Sequence, residues 1–351
     1  MSAGRARNQA RARARQARPK PWGELPAGTG AESGFLLLDK DPAVTSHDVV
    51  GAVRRLAATR QVGHAGTLDP MATGLLVIAI GRATKLIQYL AGAPKTYTAT
   101  ICFGVGSSTD DADGELFLAP PAEFSAAELV AAMAEFLGDI WQVPAAVSAI
   151  KIAGKRAHDL VRDGNEVQLE PRQIHISQFA PTSQLQPGTL LVGDSETEVQ
   201  LVDVIVSCSS GTYVRALARD LGEKLGTKAH LRALRRTEIG PWQVAQASSV
   251  SDLKAAVAAG AELPVHTLAS VCRAIFPAVS VTAAEAQQLR RGLFIPMRSP
   301  QQLGYRGEQG ENWPAVAVDS AEIPISLVSP RRGELKPDLQ LVIPAAQPQS
   351  H

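Results

Sequence analysis

Apolar residues along the chain come in short runs whose spacing alternates between a strand-like and a helix-like period. The run at 34–40, Gly-Phe-Leu-Leu-Leu-Asp-Lys, reads as a short buried strand. A helix is expected next, with Ser46 as its N-cap, because Val49, Val50, Val53 and Leu56 fall on one face. The continuous apolar stretch 75–80 predicts a second buried strand, followed by a helix over 83–90 and an alternating strand over 95–103 that carries Tyr97. Ser125 and Glu128 form a capping box for a helix ending near Leu137-Gly138. Residues 142–151 read as extended, 155–162 as a short helix, and 172–179 and 199–208 as strands. The Gly/Pro/Ser-rich segment 181–197 is a hairpin or insertion between those two strands. The glycine turn at Ser209-Ser210-Gly211 leads through Tyr213 and Arg215 into a helix to Leu225, closed by Gly226. From about Val265 the pattern shifts to short β-like pieces at 315–319, 323–329 and 333–342, broken by Gly and Pro. Those pieces predict a small β-barrel or sandwich, with a frayed end at 344–351.

Composition changes this picture little. At 351 residues, 45% hydrophobic and 20% charged, the chain is of globular class and long enough for two or so domains. The longest apolar run, 75–80, is too short to cross a bilayer, so no membrane association is expected. The arginine-rich start lacks a following apolar segment and does not read as a secretory signal. Cys102, Cys208 and Cys272 are too scattered for a disulfide framework or metal knuckle and suit a reduced, cytoplasmic setting. Charge is more informative by region. Residues 1–20 hold seven basic side chains and no acid, leaving 28 basic against 34 acidic groups in the rest, so 1–33 is expected to be a disordered basic tail. Residues 215–236 carry seven basic side chains (Arg215, Arg219, Lys224, Lys228, Arg232, Arg235 and Arg236) against Asp220 and Glu223, a stripe suited to phosphate. The acidic turn at Asp110, Asp111 and Asp113 lacks the ligand pattern of a calcium loop.

The chemistry centres on residues 62–74, where three glycines frame one acid, Asp69, and one imidazole, His64. Glycines allow tight turns and close approach to a ligand, and Pro70 stiffens the peptide beside the acid. Such a loop, delivered onto a buried strand, suits a reactive carboxylate. The same Asp-Pro pair also suits a helix start, with Asp as N-cap and Pro as first helical residue, and both readings stand on spacing alone.

The segment Gly63-His64-Ala65-Gly66-Thr67-Leu68-Asp69-Pro70-Met71-Ala72-Thr73-Gly74-Leu75-Leu76 resembles the signature of the TruB family of tRNA pseudouridine synthases. Lys95-Thr96-Tyr97, Ser148-Ala149-Ile150-Lys151-Ile152-Ala153-Gly154 and Gly211-Thr212-Tyr213-Val214-Arg215 follow in the family's order, with Asp111-Ala112-Asp113-Gly114 and Leu234-Arg235-Arg236 in support. The resemblance covers roughly 34–242, with a C-terminal segment similar to a PUA domain. It implies that Asp69 is the catalytic aspartate, that Tyr97 stacks on the flipped base and that Arg215 pairs with Asp69. It further implies RNA or substrate contacts from His64 as a wedge, Lys85, Asp111, Lys151, Tyr213, Leu234, Arg235 and Arg236. The chain departs from the family pattern at Pro144-Ala145, at His158 and at Ser107-Ser108.

The implied architecture is α/β, a pseudouridine synthase fold with a central mixed, largely antiparallel sheet and a small C-terminal PUA-like β-barrel. The expected divisions are a tail over 1–33, a catalytic domain over 34–248 and an RNA-binding domain over 265–345. The implied activity is isomerisation of the T-loop uridine at position 55, by a monomer acting on the tRNA T-arm with neither cofactor nor metal. The rival is a non-catalytic tRNA-binding or folding protein of the same fold. A glycosidase reading is disfavoured, because that chemistry generally wants two carboxylates flanking the bond.

Overall fold

The computed structural model describes residues 19–145, 151–152, 155–156, 169–297 and 314–341. The chain opens with β1 (Gly34–Lys40), α1 (Ser46–Leu56), β2 (Val62–Ala65), β3 (Thr73–Ile80), α2 (Ile87–Ala91) and β4 (Lys95–Phe103). There follow β5 (Val105–Ser107), β6 (Leu116–Leu118), α3 (Ala126–Ala134), β7 (Gly138–Gln142), β8 (Lys151–Ile152) and β9 (Lys155–Arg156). Next are β10 (Arg172–Pro181), β11 (Gln186–Val192), β12 (Ser195–Cys208), α4 (Val214–Lys224), β13 (Ala229–Ile239), β14 (Trp242–Gln243) and α5 (Val250–Ala258). The chain then runs through β15 (His266–Thr267), α6 (Leu268–Ile275), β16 (Ala278–Ser280) and α7 (Ala283–Arg290). It closes with β17 (Ile295–Pro296), β18 (Ala315–Val318), β19 (Pro324–Arg331) and β20 (Glu334–Gln340).

An 11-stranded sheet in the order β15-β1-β3-β13-β4-β12-β10-β7 forms the centre, with β2, β11 and β14 pairing beside β3, β12 and β13. Only the β3–β13 contact is parallel, so the sheet is mixed and largely antiparallel. β3 sits between β1 and β13, and seven of its eight residues are buried, which is why 75–80 shows no polar alternation. Residues 181–197 fold as the β11–β12 hairpin, with β12 starting at Ser195, earlier than its apolar pattern suggests. A second sheet, in the order β16-β18-β19-β20-β17, occupies the C-terminal part.

Several expectations change. The N-cap of α1 is Thr45, whose hydroxyl accepts from the Asp48 N–H while the Asp48 carboxylate accepts from the Thr45 N–H. Ser46 is turned inward instead. The helix expected over 83–90 is a 3-10 turn at Gly81–Leu86 followed by α2. Lys155–Arg156 is a strand paired with Lys151–Ile152 rather than a helix start; residues 157–162, Ser148-Ala149-Ile150, His158 and 344–351 lie outside the described residues. Residues 19–33 are not a loose tail. Trp22 and Leu25 are buried in the main core, Lys20 pairs with Asp48 at 2.9 Å, and Lys254 donates to the Trp22 carbonyl. Gly28 lies so close to α1 that a Cβ there would come within 1.7 Å of the Leu56 carbonyl oxygen. Two apolar residues supply the burial that the neighbouring Arg/Ala/Gly/Pro composition masks.

Candidate active site

The β2–β3 hairpin carries the loop with Asp69, and the loop is anchored from three sides. The Ser46 hydroxyl donates to the Leu68 carbonyl at 3.1 Å and accepts from the Leu68 N–H at 2.9 Å. The Pro70 carbonyl accepts from the Ala43 N–H at 2.9 Å and from the Lys40 ammonium at 3.2 Å. Ala72 N–H returns to the Asp69 carbonyl at 3.1 Å, closing a turn, and the chain goes straight into β3. Asp69-Pro70 therefore makes a turn and not a helix N-terminus. Gly74, at φ 97°, lets β3 meet β13; a Cβ there would sit 2.2 Å from the Arg236 carbonyl oxygen.

Asp69 Oδ2 lies 2.9 Å from Arg215 Nε, and Arg215 Nη1 lies 3.3 Å from Asp111 Oδ2 and donates to the Thr109 carbonyl at 2.8 Å. The Arg215 and Asp111 side chains are each only 5% exposed while that of Asp69 is 36% exposed, so one carboxylate of the three-member network opens to solvent. Burial pushes the Asp69 carboxyl above its usual range; Arg215 pulls it down and Asp111 pushes it further up. Arg215 projects from the first turn of α4. That turn is fixed by buried Gln142, which donates to the Tyr213 carbonyl at 3.1 Å and accepts from the Tyr213 N–H at 2.9 Å.

Tyr97 sits on β4 opposite Arg236 of β13 and Val206 of β12, and it is buried with Leu234 in the main core. Burial raises the pKa of the Tyr97 hydroxyl, against the pull of the Arg236 charge. His64, on β2, is half-buried, and its Nδ1 has no hydrogen-bond partner among the described residues. Burial and then Arg236 lower its pKa, so the imidazole is neutral at pH 7. The arrangement offers a solvent-open carboxylate fixed by a guanidinium, with the buried Tyr97 near enough to feel its charge. No cluster of three or more potential metal ligands occurs among the described residues.

Residues 54–214 match the TruB family pseudouridylate synthase N-terminal domain, and 215–278 match the tRNA pseudouridylate synthase B C-terminal domain. The tRNA pseudouridine synthase B of Rhodococcus jostii is 42% identical over 324 residues, covering 92% of this chain and 98% of that protein. This chain belongs to the TruB family. The corresponding protein of Mycobacterium bovis is 47% identical over 266 residues, covering 75% of this chain and 84% of its own length. The pseudouridine synthase fold also appears in a solved Cbf5-Nop10-Gar1 complex, at TM-score 0.62 and 20% identity over 92% of this chain and 90% of that one. As a TruB-family member the protein is an enzyme, a tRNA pseudouridine synthase.

The TruB-type site absorbs some expected RNA contacts and leaves others outside. Arg215 is the interior partner of Asp69, and buried Asp111 pairs with Arg215 behind it. Arg236 is 1% exposed, with its guanidinium on carbonyls of the Asp69 loop, which corrects its reading as a phosphate contact. Arg235 forms a two-pronged pair with Asp39, at 2.9 and 2.6 Å. In the rest of the basic stripe, Arg219 pairs with Asp110 and Asp220, Lys224 with Glu135, and Lys228 with Glu223. Arg232 and Lys85 are exposed. Lys151 lies on β8; its side chain is outside the described residues. Sequence reading missed Lys40, Ser46, Thr109 and Gln142. All four act on the site through backbone groups distant in sequence, and no local pattern marks that.

Proposed function

We propose that this enzyme isomerises the uridine at position 55 of the tRNA T-loop, with Asp69 as nucleophile or base at the sugar–base bond. The observation that carries the reading is the Asp69 carboxylate, open to solvent yet held 2.9 Å from buried Arg215. The reaction breaks the C1′–N1 bond, turns the uracil and forms C1′–C5; C5 loses a proton and N1 gains one. Atoms and electrons balance without an external oxidant or reductant. The protein's contribution is orientation and charge, which suits one fixed carboxylate and a stacking ring. The target base must leave the RNA stack, so Tyr97 receives it and half-buried His64 fills the space behind it. Exposed Arg232 and Lys85 meet phosphates, and the C-terminal sheet extends the footprint beyond the T-arm. The enzyme acts as a monomer in the cytoplasm, with residues 34–248 as catalytic unit and 265–345 as RNA-binding unit.

The test is incubation with a tRNA transcript and with a T-arm hairpin, followed by nucleoside analysis and mapping of the modified position. Wild type should form pseudouridine at position 55 only. Asp69→Asn keeps the shape and loses the charge, so turnover should vanish while RNA affinity stays within a few-fold. Modification elsewhere in the tRNA removes the positional assignment, and multiple turnover by Asp69→Asn removes the catalytic one.

A further inference from the structure

The alternation along β13 separates two adjacent arginines. Arg235 faces Asp39 at the half-exposed side, and Arg236 points inward. Arg236 Nε donates to the Leu75 carbonyl at 2.7 Å, Nη2 to Gly66 at 3.0 Å and Nη1 to Thr67 at 3.3 Å. Those carbonyls lie on both sides of Asp69 in the chain, two at the entry of the loop and one at its exit. On the strand ladder Arg236 lies opposite Tyr97, and its charge acts on the Tyr97 hydroxyl. Its backbone packs on Gly74, so both its main chain and its side chain touch the loop. No carboxylate pairs with it among the described residues.

A guanidinium that is 1% exposed and answered by three carbonyls is costly to keep. An apolar side chain of similar volume serves core stability as well or better. What an apolar residue cannot do is bind carbonyls of the loop after β2 and of β3 together, beside Tyr97 on β4. The rigid fork of arginine does this, and a lysine ammonium on a flexible stem does not. We infer that Arg236 is a positioning residue for pseudouridine formation: it fixes the Asp69 loop against the Tyr97 hydroxyl and sets the gap into which the flipped base fits. This rests on the proposed roles of Asp69 and Tyr97.

The experiment compares wild type, Arg236→Lys, Tyr97→Phe and the double variant. Arg236→Lys should melt as one cooperative unit and lower kcat by about ten- to a hundredfold, the scale of a misplaced reacting group. KM, tRNA Kd and the salt slope of Kd should stay within twofold to threefold of wild type. The double variant should lose less than the product of the two single losses, because the two residues are neighbours across the β4–β13 ladder and act on the same gap. Wild-type kcat in Arg236→Lys, or strictly multiplicative losses, overturns the inference. A weaker Kd with a salt slope reduced by about one unit marks a phosphate contact and also overturns it. Should Arg236→Lys fail to fold, amide exchange in Tyr97→Phe decides: residues 66–75 should exchange faster, and unchanged protection overturns the link. Wild type making no pseudouridine refutes the proposed function instead, and the salt slope still tests the phosphate alternative.

Discussion

Asp69 shows how its surroundings set the proton affinity of a single side chain. Its carboxyl is held above the ordinary 3.8, with burial as the largest cause, then Arg215 opposing and Asp111 adding. Only the ionised form can act as nucleophile or base. The acid limb of kcat/KM should therefore lie above 3.8, with activity falling as pH drops through the raised value. Arg215→Met removes the opposing charge and should move that limb to higher pH. Stability follows the opposite sign. The folded carboxyl binds its proton more readily than the unfolded one, so protonating Asp69 favours the fold. Activity should thus be lost before the enzyme unfolds on acidification. A pH–rate profile run beside thermal melts at each pH checks both; simultaneous loss places the acid limb on unfolding.

At the scale of elements, α1 links the N-terminal arm to the Asp69 loop. Trp22 and Leu25 pack with Val49, Val53 and Leu56 in one core, and Ser46 at the other end of α1 grips Leu68. Trp22→Ala should cost about 3 kcal/mol of unfolding free energy, the usual scale for emptying a buried aromatic site. Urea denaturation measures it, and a change under ~0.5 kcal/mol, as at a typical surface position, means the arm does not brace α1.

For the whole molecule, the C-terminal sheet and the central sheet share a core. Val316, Val318, Leu327 and Leu339 pack in one cluster with Phe35, Leu37, Val77 and Ala79, bridged by Leu268 and Val271 of α6. Removing residues after about Ala269 exposes that apolar face, so the truncated enzyme should melt lower and lose affinity for whole tRNA and for a T-arm hairpin alike. Replacing the exposed Arg331 and Arg332 of the β19–β20 turn by Gln spares the core. That change should weaken whole-tRNA binding and leave the hairpin unaffected, as Kd measurements on both RNAs show; equal effects on the two RNAs place the turn away from the acceptor side.

Local pattern by itself determined much of the chain. The runs at 34–40, 75–80 and 95–103 are strands, the Ser125/Glu128 box begins α3, and the residues around Asp69 carry the TruB signature in their order alone. Periodicity and capping are properties of neighbouring residues, so the sequence carries them directly. The partners of those residues were decided only by tertiary structure. Arg235 and Arg236 are adjacent and alike in sequence; insertion of β13 between β3 and β4 leaves one half-exposed on Asp39 and buries the other on the Asp69 loop. Lys40, Ser46 and Gln142 gained their roles in the same way, because a charge or hydroxyl is defined by the water it keeps or loses. Packing between distant segments decides that, and no period along the chain records it.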